Sequence, residues 1–127
     1  MIVLDASAAV LALLNDGDAR RAVAEESAAV PHLADSEVAH ALRAQALRGR
    51  LTPEQARDAL GLWARLGVRR FPAVGLLPRI WELRVNLSAY DATYVALSEA
   101  LGCDLVTADA RLAQAPGPTC PITVVRR

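Results

Sequence analysis

Two rhythms of apolar residues alternate along the chain. Ile2-Val3-Leu4 is a short apolar run that stops at Asp5, which predicts a buried strand. Residues 7–14 read as a helix broken by Asn15-Asp16-Gly17-Asp18, with Asp18 placed to cap a second helix over 19–27. Ala29-Val30-Pro31 predicts a weak second strand, and a helix follows over 34–47. Thr52-Pro53-Glu54-Gln55 is a strong helix start: Thr52 caps, Pro53 takes the first helical position and Gln55 completes a capping box. Ala56, Leu60, Trp63 and Leu66 then share one helical face, and Gly67 ends it. Residues 68–71 predict a third strand and 77–87 a helix with Pro78 in its first turn. Ser88 opens a further helix, lined by Tyr90, Tyr94, Leu97 and Leu101 and stopped by Gly102. A strand over 105–107, a short helix after Asp109, a Pro116-Gly117-Pro118 loop and a strand over 122–125 complete the chain.

Strands alternating with amphipathic helices predict an α/β/α sandwich with a central, mostly parallel sheet of four to five strands. The 127 residues make one domain, 1–127, without repeats or linker. A domain of this size buries roughly two-thirds of the surface of its unfolded chain.

In such a sheet the ligand site lies beyond the carboxyl ends of the strands. Asp5 ends the first strand and Asp109 follows the fourth, so both belong to one edge; Asp104, at the other end of its strand, faces away. Glu37 and Asp91 each fall in the first turn of a helix, and if those helices start at the same edge, four carboxylates converge. Each acid also has a plainer reading: a polar stop after a strand, a helix cap, a favourable charge at a helix N-terminus. Their common placement favours a site. Four close carboxylates raise one another's pKa and need compensation from arginine, protonation or metal. An all-oxygen set of this kind suits Mg²⁺ or Mn²⁺.

Charge narrows the choice further. Fourteen basic residues balance fourteen acidic ones, and every basic residue is an arginine. The chain is therefore no general polyanion binder, and RNA would be held by local arginines; Arg43, Arg48, Arg50 and Arg111 are the candidates, against the alternative of a solvated helix face. The absence of lysine removes metal-free RNA cleavage by a histidine–lysine set and a phosphoacceptor receiver domain. No nucleophile elbow or phosphate loop is present. Cys103 and Cys120 fit no zinc spacing and read as two ordinary thiols, with a disulfide as the alternative. The start lacks the features of a signal peptide and no apolar run reaches membrane-spanning length, which predicts a cytoplasmic protein without membrane contact.

Four segments, in this order, resemble PIN domains, in particular the VapC toxins of type II toxin–antitoxin pairs. They are Ile2-Val3-Leu4-Asp5-Ala6-Ser7-Ala8, Leu33-Ala34-Asp35-Ser36-Glu37-Val38-Ala39-His40-Ala41-Leu42, the stretch from Ala89-Tyr90-Asp91-Ala92 to Glu99, and Leu105-Val106-Thr107-Ala108-Asp109-Ala110-Arg111-Leu112. His40 stands where the family usually has Asn, a departure beside Glu37 that removes no ligand.

The resemblance implies a PIN fold and a Mg²⁺- or Mn²⁺-dependent endoribonuclease with one or two ions. It assigns catalysis and metal binding to Asp5, Glu37, Asp91 and Asp109, with Ser7 and Thr107 in support. The products would carry a 5′-phosphate and a 3′-hydroxyl, and the family suggests transfer RNA or other structured RNA cut at single-stranded loops. It further implies a VapB-type antitoxin that covers the acids, and a homodimer, heterotetramer or larger assembly. Trp63, Trp81, Leu76 and Leu77 read as core, with a homodimer face or antitoxin groove as the alternative. A binding module of this fold without catalysis, and a PIN nuclease of RNA maturation, are the competing functions; a small antitoxin gene upstream would favour the toxin.

Overall fold

Ile2, Val3 and Leu4 are buried at the centre of a five-stranded sheet in a computed structural model that describes residues 1–126. The strands are β1 (Ile2–Leu4), β2 (Ala28–Pro31), β3 (Arg69–Phe71), β4 (Asp104–Thr107) and β5 (Ile122–Val124). Their order is β3-β2-β1-β4-β5, and every neighbouring pair is parallel. β1 and β2 are buried along their whole length and β4 from Leu105 onward. Apolar side chains on both faces are what a parallel sheet covered by crossover helices requires. The edges are wetter, with Arg69 and Arg70 on β3 and Thr123 and Val124 on β5 exposed.

Seven helices connect the strands among the described residues: α1 (Ala6–Leu14), α2 (Asp18–Glu25), α3 (Leu33–Leu47), α4 (Pro53–Arg65), α5 (Leu77–Glu82), α6 (Ala89–Leu101) and α7 (Ala110–Gln114). α1 packs on α2, α3 and α4, whereas α5 packs on α6, and α6 lies along β1, β2 and β4. The sheet is thus covered by two separate groups of helices. No helix among the described residues is long and apolar enough to cross a membrane.

Two polar clamps fix the periphery. Asp35 on α3 accepts from the Trp63 indole Nε1 at 2.8 Å and from Arg70 Nε and Nη2 at 2.9–3.1 Å, while the Arg70 guanidinium stacks over Trp63 at 5.8 Å. One carboxylate therefore ties α3, α4 and β3. On the other side, Arg79 donates to Glu99 at 2.7 Å and to the Gly117 carbonyl at 2.9 Å, and the Thr119 amide donates to Glu99 at 2.8 Å. That set anchors the loop leading to β5.

The capping box at Thr52 and Gln55 forms as the sequence predicts, and Gly102 ends α6 with φ +65°. Other expectations need correction. Asp18 is the first residue of α2, not its cap; Gly17 holds the cap position, and Asp18 instead pairs with Arg21. The predicted helix over 77–87 is only α5, preceded by a 3-10 turn over Val74–Leu76 and followed by turns in which Leu83 and Leu87 are buried. On α4 the buried face runs through Ala59 and Trp63, whereas Leu60 and Leu66 are exposed. Tyr90 stands out from α6 although Tyr94 and Leu97 are buried. Trp63 is core, but Trp81 and Leu77 are exposed, with Arg84 stacked on Trp81 at 4.4 Å. Cys103 and Cys120 are half-buried free thiols.

Candidate functional site

The strand order explains why distant acids meet. The chain moves outward from β1 to β2 and β3, then returns to the other side of β1 for β4 and β5. A crevice opens at this reversal, at the carboxyl ends of β1 and β4. Asp5 follows β1 directly, and Asp109 lies two residues past β4. α3 leaves the carboxyl end of β2, so its first turns sit at the same edge. α6 leads back to the start of β4, so it too must begin there. Asp91 is in the first turn of α6 as predicted. Glu37 lies just past the first turn, not in it, because α3 begins one residue earlier than expected, at Leu33, and Asp35 is the acid of its first turn.

Asp5 is the most constrained of the four acids. It is 7% exposed and caps α1, with Oδ1 accepting from the Ala8 amide at 2.9 Å and from Ser7 Oγ at 2.6 Å. Its Oδ2 accepts from Thr107 Oγ1. The same hydroxyls hold the loop after β4: Ser7 Oγ accepts from the Ala108 amide at 2.9 Å, and Thr107 Oγ1 from the Asp109 amide at 3.0 Å. Each hydroxyl has one proton and spends it on Asp5, so the 3.4 Å contact between Ser7 and Thr107 is packing between two acceptors. Ser7 and Thr107 thus join the two strand ends into one rigid floor.

Asp109 caps α7, accepting from the Arg111 amide at 3.0 Å, and pairs with the Arg111 guanidinium at 3.3 Å. For Asp91, only half of a capping box forms among the described residues: the Ser88 hydroxyl accepts from the Asp91 amide at 3.1 Å. Glu37 Oε1 accepts from the Tyr94 hydroxyl at 2.6 Å, and Tyr94 is itself 2% exposed.

The acids sense one another. Burial pushes the Glu37 carboxyl above its ordinary value, the Tyr94 bond opposes this, and Asp91 and Asp5 add to the rise. Burial likewise pushes Asp91 up, joined by Asp5 and Asp109, with Ser88 and Arg111 acting the other way. Burial and Glu37 together push the Tyr94 phenol far up, so it stays a donor. Glu37, Asp5, Asp91 and Asp109 therefore form one connected negative field. Among the described residues, no three His, Cys, Asp or Glu side chains are already drawn into an ion cage. Unneutralised carboxylates repel, and Asp5, Glu37 and Asp109 rest on hydrogen-bond donors. The donor chemistry still fits Mg²⁺, which keeps several of its waters and is usually held through only one or two carboxylates.

Three clefts open near this edge. One of about 580 Å³ is lined by Ala6, Glu37, His40 and Tyr90 among others, so His40 sits at the rim one turn beyond Glu37. One of about 250 Å³ joins Asp91, Asp109 and Arg111. One of about 500 Å³ runs from Ser7 between α1 and α3 to Arg50. Of the four arginines singled out, Arg111 adjoins the acids, and Arg50 lines the cleft that begins at Ser7 without meeting any of them. Arg43 and Arg48 are exposed toward the far end of α3, Arg43 about 9 Å along the axis from Glu37. Tyr94 is the site residue that periodicity concealed. It counts as one more large side chain on the buried face of α6, and its only signal is a phenol placed three residues after Asp91.

The fold and the acid edge define a PIN-type nuclease-fold protein, and the chain belongs to the PIN-domain family, whose model matches residues 2–118. Within that family it groups with the VapC ribonucleases. It is 61% identical over 127 residues, the whole of both chains, to Ribonuclease VapC9 of Mycobacterium tuberculosis. Among solved structures it is similar to PAE2754 of Pyrobaculum aerophilum, with TM-score 0.71 and 26% identity over 95% of this chain and 81% of that one. It shares its fold with VapBC2 of Rickettsia felis, bound in that crystal to a promoter DNA fragment, with TM-score 0.71 and 14% identity over 98% and 99% of the two chains.

Proposed function

We propose that this chain is a divalent-metal-dependent endoribonuclease and the toxin of a VapBC-type pair. The supporting observation is the convergence of Asp5, Glu37, Asp91 and Asp109 on one sheet edge, where burial first and then other members of the set push the Glu37 and Asp91 carboxyls up. Mg²⁺ or Mn²⁺, as one or two ions, would be held by these four residues, Asp5 being central. A bound ion supplies an acidified water and neutralises charge on the phosphodiester. Ser7 and Thr107 hold Asp5 in place. Arg111, beside Asp109, and Arg50, at the far end of the Ser7 cleft, are placed to contact phosphates of the strand. Attack by water oxygen in line with the 3′ oxygen leaves a 5′-phosphate and a 3′-hydroxyl. Single-stranded loops of transfer RNA or other structured RNA suit a shallow open edge better than a paired helix does.

A VapB-type antitoxin follows from membership of the VapC group, as a partner that covers the acids. A second copy of the chain is suited to the exposed apolar side chains Leu77, Trp81 and Val85. Cleavage of defined RNAs by wild type and Asp5→Asn, each with Mg²⁺, Mn²⁺ or EDTA, tests the proposal. Metal-dependent cleavage lost in Asp5→Asn is expected; full activity in EDTA overturns it.

A further inference from the structure

Glu37 is the only one of the four acids that reaches the site from a helix on a long, flexible side chain, well inside that helix. Left alone, its three torsions would spread the carboxylate over several positions. One contact removes that freedom. The Tyr94 hydroxyl donates to Glu37 Oε1 at 2.6 Å, the length of a bond from a hydroxyl to an ionised carboxylate. Tyr94 is among the largest fully buried side chains, so its ring, and hence its hydroxyl, is fixed by packing. Tyr94 is also three residues beyond Asp91 on α6, on the neighbouring helical position. A single helix thus bears one acid of the site and the donor that holds another acid on α3.

Resting on the function proposed above, we infer that Tyr94 is the positioning residue of Glu37: its hydroxyl occupies Oε1 and leaves Oε2 as the oxygen offered to the ion or its water. The phenol takes no part in the cleavage. It sets the distance between α3 and α6 at the acid edge and selects one Glu37 rotamer.

Tyr94→Phe keeps the ring and removes only the donor. Loss of a residue that orients a metal ligand typically costs 10–100-fold in metal affinity or activity. For Tyr94→Phe the expected result is a roughly tenfold weaker affinity for Mn²⁺, read from the free-ion paramagnetic signal, and a lower kcat with little change in KM for RNA. The effect must pass through Glu37, so Tyr94→Phe added to Glu37→Ala should weaken Mn²⁺ binding no further. An intact Tyr94→Phe protein that binds Mn²⁺ and cleaves like wild type overturns the inference, and so does an equal loss in the Glu37→Ala background.

A measurement on the unmutated core guards against a variant that fails to fold. The chain has two tyrosines, and ring-labelled carbon resonances can be assigned with Tyr90→Phe. The Tyr94 resonance should move on Mg²⁺ addition and on Glu37→Ala; insensitivity to both overturns the inference. Wild type that neither binds Mn²⁺ nor cleaves RNA overturns the proposed function and this inference together, whereas an active wild type with an indifferent Tyr94→Phe overturns the inference alone.

Discussion

Thr107 and Asp5 lie 102 residues apart in the chain and share a buried hydrogen bond, with the Thr107 hydroxyl donating to Asp5 Oδ2. Thr107 Oγ1 in turn accepts from the Asp109 amide, so one threonine connects two acids that follow different strands. Thr107→Val preserves shape and removes both bonds. Leaving buried groups without partners costs about 1–3 kcal/mol. Chemical denaturation should show a loss in that range, together with reduced RNA cleavage. Thr107→Ser, which keeps the hydroxyl, should stay close to wild type in both.

Asp91 makes the protein's stability depend on pH and on metal. Its carboxyl is pushed up in the folded chain, so folding favours its protonated form. Without metal, ionised Asp91 opposes folding, and its contribution worsens as pH rises above the ordinary value of 3.8 through the raised one. Asp91→Asn should therefore raise the melting temperature of metal-free protein at neutral pH, with the gain vanishing in acid. Added Mg²⁺ should stabilise wild type and do little for Asp91→Asn, which should also lack RNA cleavage. Melting curves at several pH values, with and without EDTA, measure all of this.

The Asp35 clamp behaves with the opposite sign. Arg70 and Trp63 hold the Asp35 carboxyl below its ordinary value of 3.8 against a smaller desolvation effect. Its stabilising share is present above that value and is lost as pH falls through the depressed one. Trp63 is almost fully buried, and Trp63→Ala should cost about 3–5 kcal/mol through the cavity it leaves. Asp35→Ala orphans the indole donor at roughly 1–3 kcal/mol. The double variant should lose less than the sum, because both remove the same bond. Denaturation midpoints of the three proteins decide the matter.

Gly102 separates backbone strain from the site. It ends α6 in the left-handed region at φ +65°, and an added Cβ would meet nothing within 4 Å. Gly102→Ala should therefore lower stability by about 1 kcal/mol through conformation alone. Cleavage measured well below the melting temperature should be unchanged, since α6 carries Asp91 at its opposite end.

Much of this architecture was legible in the order of residues. Ile2-Val3-Leu4 before Asp5, the box at Thr52 and Gln55, and Gly102 after α6 are local signals whose physics is complete within a few positions. Strand–helix alternation yields a parallel sheet because parallel neighbours need long crossovers. A parallel sheet in turn places strand-end acids on one edge.

Long-range partners were not legible. Leu60 and Leu66 fit the apolar face of α4 by periodicity, yet they are exposed, because which part of that face is covered depends on how α3 lies across it. Tyr94 reads as core until Glu37 is found at its hydroxyl. Nothing local in the chain marks Asp35 as a clamp; only the fold brings Trp63 and Arg70 onto it. The chain by itself determined which elements form and where its acids fall along them, since those choices are settled by neighbours within a turn or two. Only the tertiary structure decided which donor meets which carboxylate, since a hydrogen bond needs atoms within about 3 Å and a correct angle.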